Sequence, residues 1–260
     1  MGLFDFLKKD KETEETAAPA PEKEAAAEED VAEDMGSAAE EEDPVPEESA
    51  VWLYSEEDMA AYEAYVESTF GEYHEAFHEI LSPDIHLDVI VIPPKEETPY
   101  YTLVTAGAGA YPMEIPEDLA EFDLTYAEYI ICLPADWDIY SGDKDKTWPL
   151  LTLKSVARLP VTAGTWLGVG HTLHVNRDMS PVAPGTKLNS IVLLPALDIA
   201  KREVAATTLP SGKKINIYQL MPLYQEELDY KMEKGYDTFL DLLTDEMFPL
   251  VVDPDREPLV

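Results

Sequence analysis

The first residues in this chain whose types and spacing suggest chemistry are His74-Glu75-Ala76-Phe77-His78. On a helix, two histidines four residues apart share a face and can bind one Zn²⁺. The glutamate between them can then act as general base for the metal-bound water. This offers an alternative to a non-catalytic reading, a zinc hydrolase with His74 and His78 as ligands and Glu75 as base. A catalytic zinc needs a third protein ligand, and the following residues do not supply one in the usual register. Leu81 and Asp84 stand where the extended motif carries its glycine turn and third histidine. His86 is close by, but Pro83 and the start of a strand intervene.

The other constellations are weaker. Ala106-Gly107-Ala108-Gly109-Ala110 follows a predicted strand, as a phosphate-binding loop would. Tyr111-Pro112 comes next, so no helix N-terminus faces a phosphate and the loop reads as a turn. Asp136, Asp138, Asp143 and Asp145 lack the spacing of a calcium loop, with Trp137 and Tyr140 between them. The one cysteine, Cys132, lies in the apolar run Tyr129–Leu133 and reads as a buried structural thiol. No Gly-x-Ser-x-Gly sequence or Cys/His pair points to nucleophilic catalysis. No cofactor is implied.

These residues depend on the elements that carry them. Ser55 and Asp58 form a capping-box-like pair. Met59, Tyr62, Val66, Phe70, Tyr73, Phe77 and Ile80 follow at spacings of three and four, which predicts an amphipathic helix ending at Pro83. Gly71 is a point where it can bend or divide. His74 and His78 fall at the edge of the apolar stripe. Ile85–Ile92 reads as a strand with Leu87, Val89 and Val91 on one face and His86 and Asp88 starting the other. Further strands are expected at Tyr100–Thr105, Tyr126–Leu133, Thr172–Val175, Asn189–Leu194 and Ile215–Leu220. Helices are expected at Thr147–Leu159, Tyr224–Lys234 and Tyr236–Leu243. The expected fold is α+β, a mixed central β-sheet flanked by helices.

Composition limits the partners. The 260 residues contain 18 Lys+Arg and 54 Asp+Glu, a net charge of −36. Such a surface cannot release counterions from a phosphate backbone, which excludes nucleic acid, and an anionic membrane would repel it. Residues 1–50 hold 18 acidic and 4 basic side chains, with no aromatic residue after Phe6. This Ala/Glu/Pro-rich stretch buries too little apolar surface to offset its ordering entropy and reads as a disordered acidic arm. At its start Leu3, Phe4, Phe6 and Leu7 precede Lys8 and Lys9, as either a frayed terminus or a docking peptide on an acidic tether. Residues 51–260 form the folded domain. No stretch approaches the ~18 apolar residues of a transmembrane helix. A single cysteine fits a reducing compartment, and the expected location is cytoplasmic.

From residue 85 on, longer motifs accumulate. His78-Glu79 is followed by Ile85-His86-Leu87-Asp88, then Tyr101-Thr102-Leu103-Val104-Thr105-Ala106-Gly107 and Pro112-Met113. Ala127-Glu128-Tyr129, Leu133-Pro134-Ala135-Asp136-Trp137, Trp148-Pro149, Thr165-Trp166-Leu167, Gly170-His171-Thr172 and Pro222-Leu223-Tyr224 come next in order. In this succession the chain resembles the Suppressor of fused family over roughly residues 51–252, as a single lobe, with Ala108 in place of the family's methionine. The resemblance implies a non-catalytic domain that binds another protein. Bacterial single-domain relatives include immunity proteins that neutralise polymorphic toxins, so a basic toxin domain is the expected partner. It also implies site residues: His78, Glu79, His86 and Asp88 as a binding or structural cluster, with Trp137, Trp148, Trp166 and His171 as core or groove residues.

Overall fold

A computed structural model of the chain describes residues 51–244 and 247–260. The arm expected over residues 1–50, with its Leu3–Leu7 peptide, lies outside the described residues. The first elements of the described residues are helix α1 (Glu56–Phe70) and strands β1 (Glu75–Phe77), β2 (Asp88–Ile92), β3 (Tyr100–Ala106) and β4 (Tyr126–Pro134). Helix α2 (Lys144–Ala163) precedes β5 (Thr172–His174), β6 (Ser190–Pro195), β7 (Leu197–Asp198), β8 (Glu203–Val204), β9 (Ala206–Thr208) and β10 (Lys214–Leu223). Helices α3 (Gln225–Lys234) and α4 (Tyr236–Leu240) follow.

The main sheet runs β1-β2-β3-β4-β10-β6-β5, with β9 also paired to β10. Only β4 and β10 run parallel; the other ladders are antiparallel. The fold is therefore α+β with a mixed sheet. Its central strands are apolar almost throughout because both faces are covered, which removes the usual in/out alternation. Side chains of successive residues still point to opposite faces. Val89 and Val91, Leu103, Tyr129 and Ile131, Ile191 and Leu193, and Tyr218 and Leu220 pack on the side of α2, against Leu153, Val156 and Ala157. On the other side Ile90, Ile92, Val104, Ile130, Ile215 and Ile217 meet Tyr62 and Val66 of α1. Further along that same side Val192, Leu194, Met221 and Leu223 meet Leu228, Phe239 and Leu240 of α3 and α4. The result is three layers.

The expected helix over Ser55–Pro83 is corrected by the structure. Its start is as anticipated, with the Ser55 hydroxyl accepting the Asp58 N–H at 3.1 Å. It stops at Gly71, whose φ of +122° no helix can continue through and which L side chains rarely adopt. Residues 75–77 are instead the edge strand β1, paired with Val89–Val91. The apolar stripe across this boundary is a coincidence of spacing. Tyr73 packs with the α1 cluster and Phe77 with the α2 cluster, on opposite faces of the sheet. Smaller differences follow ordinary end effects. Helix α2 begins at Lys144 rather than Thr147 and runs to Ala163, and β10 extends to Leu223.

Candidate functional site

Asp88 opens β2, and its carboxylate gathers what the loop before it carries. Oδ2 lies 2.8 Å from His78 Nδ1, and Oδ1 accepts the Glu79 N–H at 2.8 Å. His86 Nε2 lies 3.5 Å from Oδ1. The Ser82 hydroxyl donates to Glu79 Oε2 at 2.9 Å and also lies 2.9 Å from His86 Nδ1. Its one proton is committed to the carboxylate, so His86 Nδ1 is the donor in that second bond. The Leu87 N–H adds a further donor to Glu79 Oε2 at 3.2 Å. His78, Glu79, His86 and Asp88 are thus in one place.

Helix α2 closes the cluster from the core side. Its inner face buries Leu153, Val156 and Ala157, which leaves Lys154 and Arg158, four residues apart, on a neighbouring edge. Arg158 reaches Glu79 Oε2 at 2.6 Å and Asp84 Oδ1 at 2.9 Å, and also donates to the Ile85 carbonyl at 3.0 Å. Lys154 Nζ stands 3.8 Å from Glu79 Oε1. Burial disfavours charge on Glu79, but the Arg158 hydrogen bond, the Leu87 N–H, Ser82 and the Arg158 charge outweigh it. They hold the carboxyl below its ordinary range. Arg158 is in turn raised: burial opposes its charge, and the bonds to Glu79 and Asp84 prevail.

The consequence lies between the two anchored carboxylates. Glu79 and Asp84 are clamped to one guanidinium, so residues 80–83 form a short arch with fixed feet. Ile80 and Leu81 sit on it with their side chains in water, 95% and 84% exposed. The geometry that the zinc alternative requires, two histidines on one helical face, is absent among the described residues. His74-Glu75-Ala76-Phe77-His78 lies on and around β1, where four residues of extended chain span roughly 13 Å. The exposed Glu75 accepts a hydrogen bond from the Tyr140 hydroxyl, and Asp88 holds His78. Among the described residues no group of three or more His, Cys, Asp or Glu side chains is arranged to hold a metal ion.

The other four expected site residues lie apart from this cluster. Trp137 and Trp148 are buried in the core with centroids 6.3 Å apart, edge to face, and Trp137 Nε1 donates to the Lys146 carbonyl at 2.9 Å. Trp166 packs against His171 with centroids 4.3 Å apart and the rings tilted by 60°, next to Gly168. Burial, then the nearby Lys231 charge, lowers the pKa of His171. A folded value below the unfolded one, near 6.5, makes a contribution present above that pH and lost as pH falls through the folded value. His171→Phe keeps a ring against Trp166 and removes the titration. Its unfolding midpoint in urea should therefore rise relative to the unaltered chain between pH 7.5 and pH 5. A constant difference between the two proteins would contradict this.

Sequence reasoning did not single out Arg158, Lys154, Ser82 or Asp84. The readable signal was an arginine inside the apolar run Ser155-Val156-Ala157-Arg158-Leu159, in a chain with only four arginines. Glu128 was named only within the Ala127-Glu128-Tyr129 motif and given no role, although the residue is fully buried in β4. Glu128 Oε1 accepts the Tyr54 hydroxyl at 2.7 Å and the N–H groups of Gly107 and Gly109 at 2.8 and 3.0 Å, and Oε2 accepts Thr105 Oγ1 at 2.5 Å. The glycine loop does bind a carboxylate, and that carboxylate is the chain's own. A Cβ at Gly107 would lie 1.9 Å from the His86 carbonyl oxygen and one at Gly109 would lie 2.3 Å from the Tyr54 hydroxyl, so only glycine fits.

Comparison with known proteins bears on this geometry. A sequence model of the family described as Suppressor of fused protein matches residues 83–257. No curated protein sequence matches the chain. Among solved structures, a chain of the Sufu–Fu complex superposes with a TM-score of 0.55 at 11% identity, over 78% of this chain and 92% of that one. A Suppressor of fused homologue from Neisseria gonorrhoeae FA 1090 gives 0.53 at 13% identity, over 78% and 97%. Drosophila Suppressor of Fused gives 0.51 at 11%, over 78% of this chain and 51% of its own length. At these identities the structural matches show a shared fold.

Proposed function

The chain belongs to the Suppressor of fused family, and from that premise we propose that it is a non-catalytic protein-binding domain whose contact point is the Ile80–Leu81 arch. The observation that carries this reading is two large apolar side chains held almost wholly in water on a backbone fixed at both ends. Apolar anchors gain affinity when their ordering is already complete before binding. The exposed His78 ring beside them adds a polar contact at the rim. One structural neighbour is itself part of a complex with a protein, Fu.

The net charge of −36 selects the kind of partner. An acidic surface speeds capture of a basic one, and the domain is read as an immunity protein that neutralises a basic toxin, a nuclease in the simplest case. Its location would be the cytoplasm, where the buried thiol of Cys132 stays reduced. The test titrates the chain against a basic toxin domain encoded beside it. The expected result is stoichiometric loss of toxin activity, slower at high salt. Ile80→Ser/Leu81→Ser should lose this protection while unfolding at the same midpoint. A toxin that stays fully active in excess protein would end the immunity reading. Unchanged protection by the double variant would remove the arch from it.

A further inference from the structure

His86 also lines a second surface. Leu53, Tyr54 and Ser55 form one wall of an open groove of about 350 Å³, and His86 forms another. Its floor is one face of α1, Glu56, Met59, Ala60 and Glu63, spaced as i, i+3, i+4 and i+7. Leu53 is 62% exposed, and Trp52 beside it is 44% exposed. The groove is apolar along its middle and acidic at both ends of its floor.

We propose that this groove is occupied by the chain's own segment Leu3–Lys9. The segment's composition is complementary to it: Leu3, Phe4, Phe6 and Leu7 at helical spacing, then Lys8 and Lys9 to meet Glu56 and Glu63. These two lysines are half of the four basic residues in the first fifty, so the rest of the arm has little to offer an acidic groove. Connectivity favours an intramolecular contact. The described chain starts at Val51, two residues before the groove wall at Leu53. About 40 residues separate Lys9 from Val51, a length of chain whose contour exceeds the distance to the groove. That keeps the segment near the groove at an effective concentration on the order of millimolar. A weak contact is then enough for occupancy.

The inference is independent of the Ile80–Leu81 reading and is tested on the full chain. Cys132 is buried, with its thiol pushed up to about 12 by burial, so a single introduced cysteine takes a label selectively. A nitroxide on Asp10→Cys should remove most of the NMR intensity of the Met59 methyl and the Trp52 indole, and spare signals on the α2 side. Phe4→Ser/Phe6→Ser should restore that intensity, and so should the exposed-site variant Leu53→Ser. Equal broadening with and without the two phenylalanines would overturn the proposal, since tethering alone would then explain it. Broadening confined to mixtures of labelled and unlabelled chains would overturn it as well, by assigning the groove to a second copy's arm.

Discussion

Arg158→Met should lower the folding free energy by about 3 kcal/mol, the lower end of what breaking a buried ion pair costs. The lower end applies because Glu79, Asp84 and Arg158 keep side-chain exposures of 10%, 19% and 19%. Removing the guanidinium leaves two carboxylates facing each other in a half-dry site, with only Lys154, 3.8 Å from Glu79, nearby. Arg158→Lys should recover less than half, because an ammonium cannot span both carboxylates and the Ile85 carbonyl as a planar fork does. Urea unfolding would show this as a lower midpoint at constant slope. The same variant should weaken partner binding beyond its loss of stability, since the arch bearing Ile80 and Leu81 loses a foot. An Arg158→Met protein that unfolds within 1 kcal/mol of the original would mean that the clamp contributes little.

Glu128→Leu should cost more, about 4–6 kcal/mol, because it strands the Tyr54 hydroxyl and the N–H groups of Gly107 and Gly109 inside the core. Glu128→Gln should be far milder. Burial raises the pKa of Glu128, and the bonds from Thr105, Gly109, Tyr54 and Gly107 pull it only part of the way back. In the protonated form Oε2–H donates to Thr105 Oγ1, and the threonine hydroxyl turns to the Tyr129 carbonyl at 3.3 Å. A glutamine amide reproduces that pattern with its NH₂ toward Thr105. A carboxyl whose folded pKa is raised contributes stability that is complete below the unfolded value, near 4.3. That contribution is lost as pH rises through the folded value. Glu128→Gln should therefore gain on the unaltered chain as pH climbs from 4 to 7. Equal losses for Leu and Gln, with no pH trend in either, would show that the site holds an obligatory carboxylate.

Much of this molecule could be read from residue order. The strands at Tyr100 and Tyr126 and the helices at Lys144 and Gln225 follow local rules of apolar runs, turn residues and caps. So does the start of α1 at Ser55. The mixed central sheet flanked by helices follows from helices at both ends and apolar strands between them. The His78, Glu79, His86 and Asp88 set came from family motifs, and its members could be named before any geometry was known.

The His-Glu-x-x-His reading shows where local pattern stops. A spacing of four residues satisfies both a 3.6-residue helix and a two-residue strand repeat, so it could not say which one carries His74 and His78. Gly71, with its backbone at positive φ, and the pairing of residues 75–77 with Val89–Val91 decided it. Long-range partners were beyond reach for a related reason. Arg158 lies 79 positions from Glu79 and Tyr54 lies 74 from Glu128. An isolated charge in an apolar run announces that a partner exists without naming it. The cluster that first suggested chemistry is determined by its residue types only as far as membership. Its work as a clamp under two exposed apolar side chains was decided by the packing of α2 against the sheet, because only the folded core brings an arginine within reach of both carboxylates.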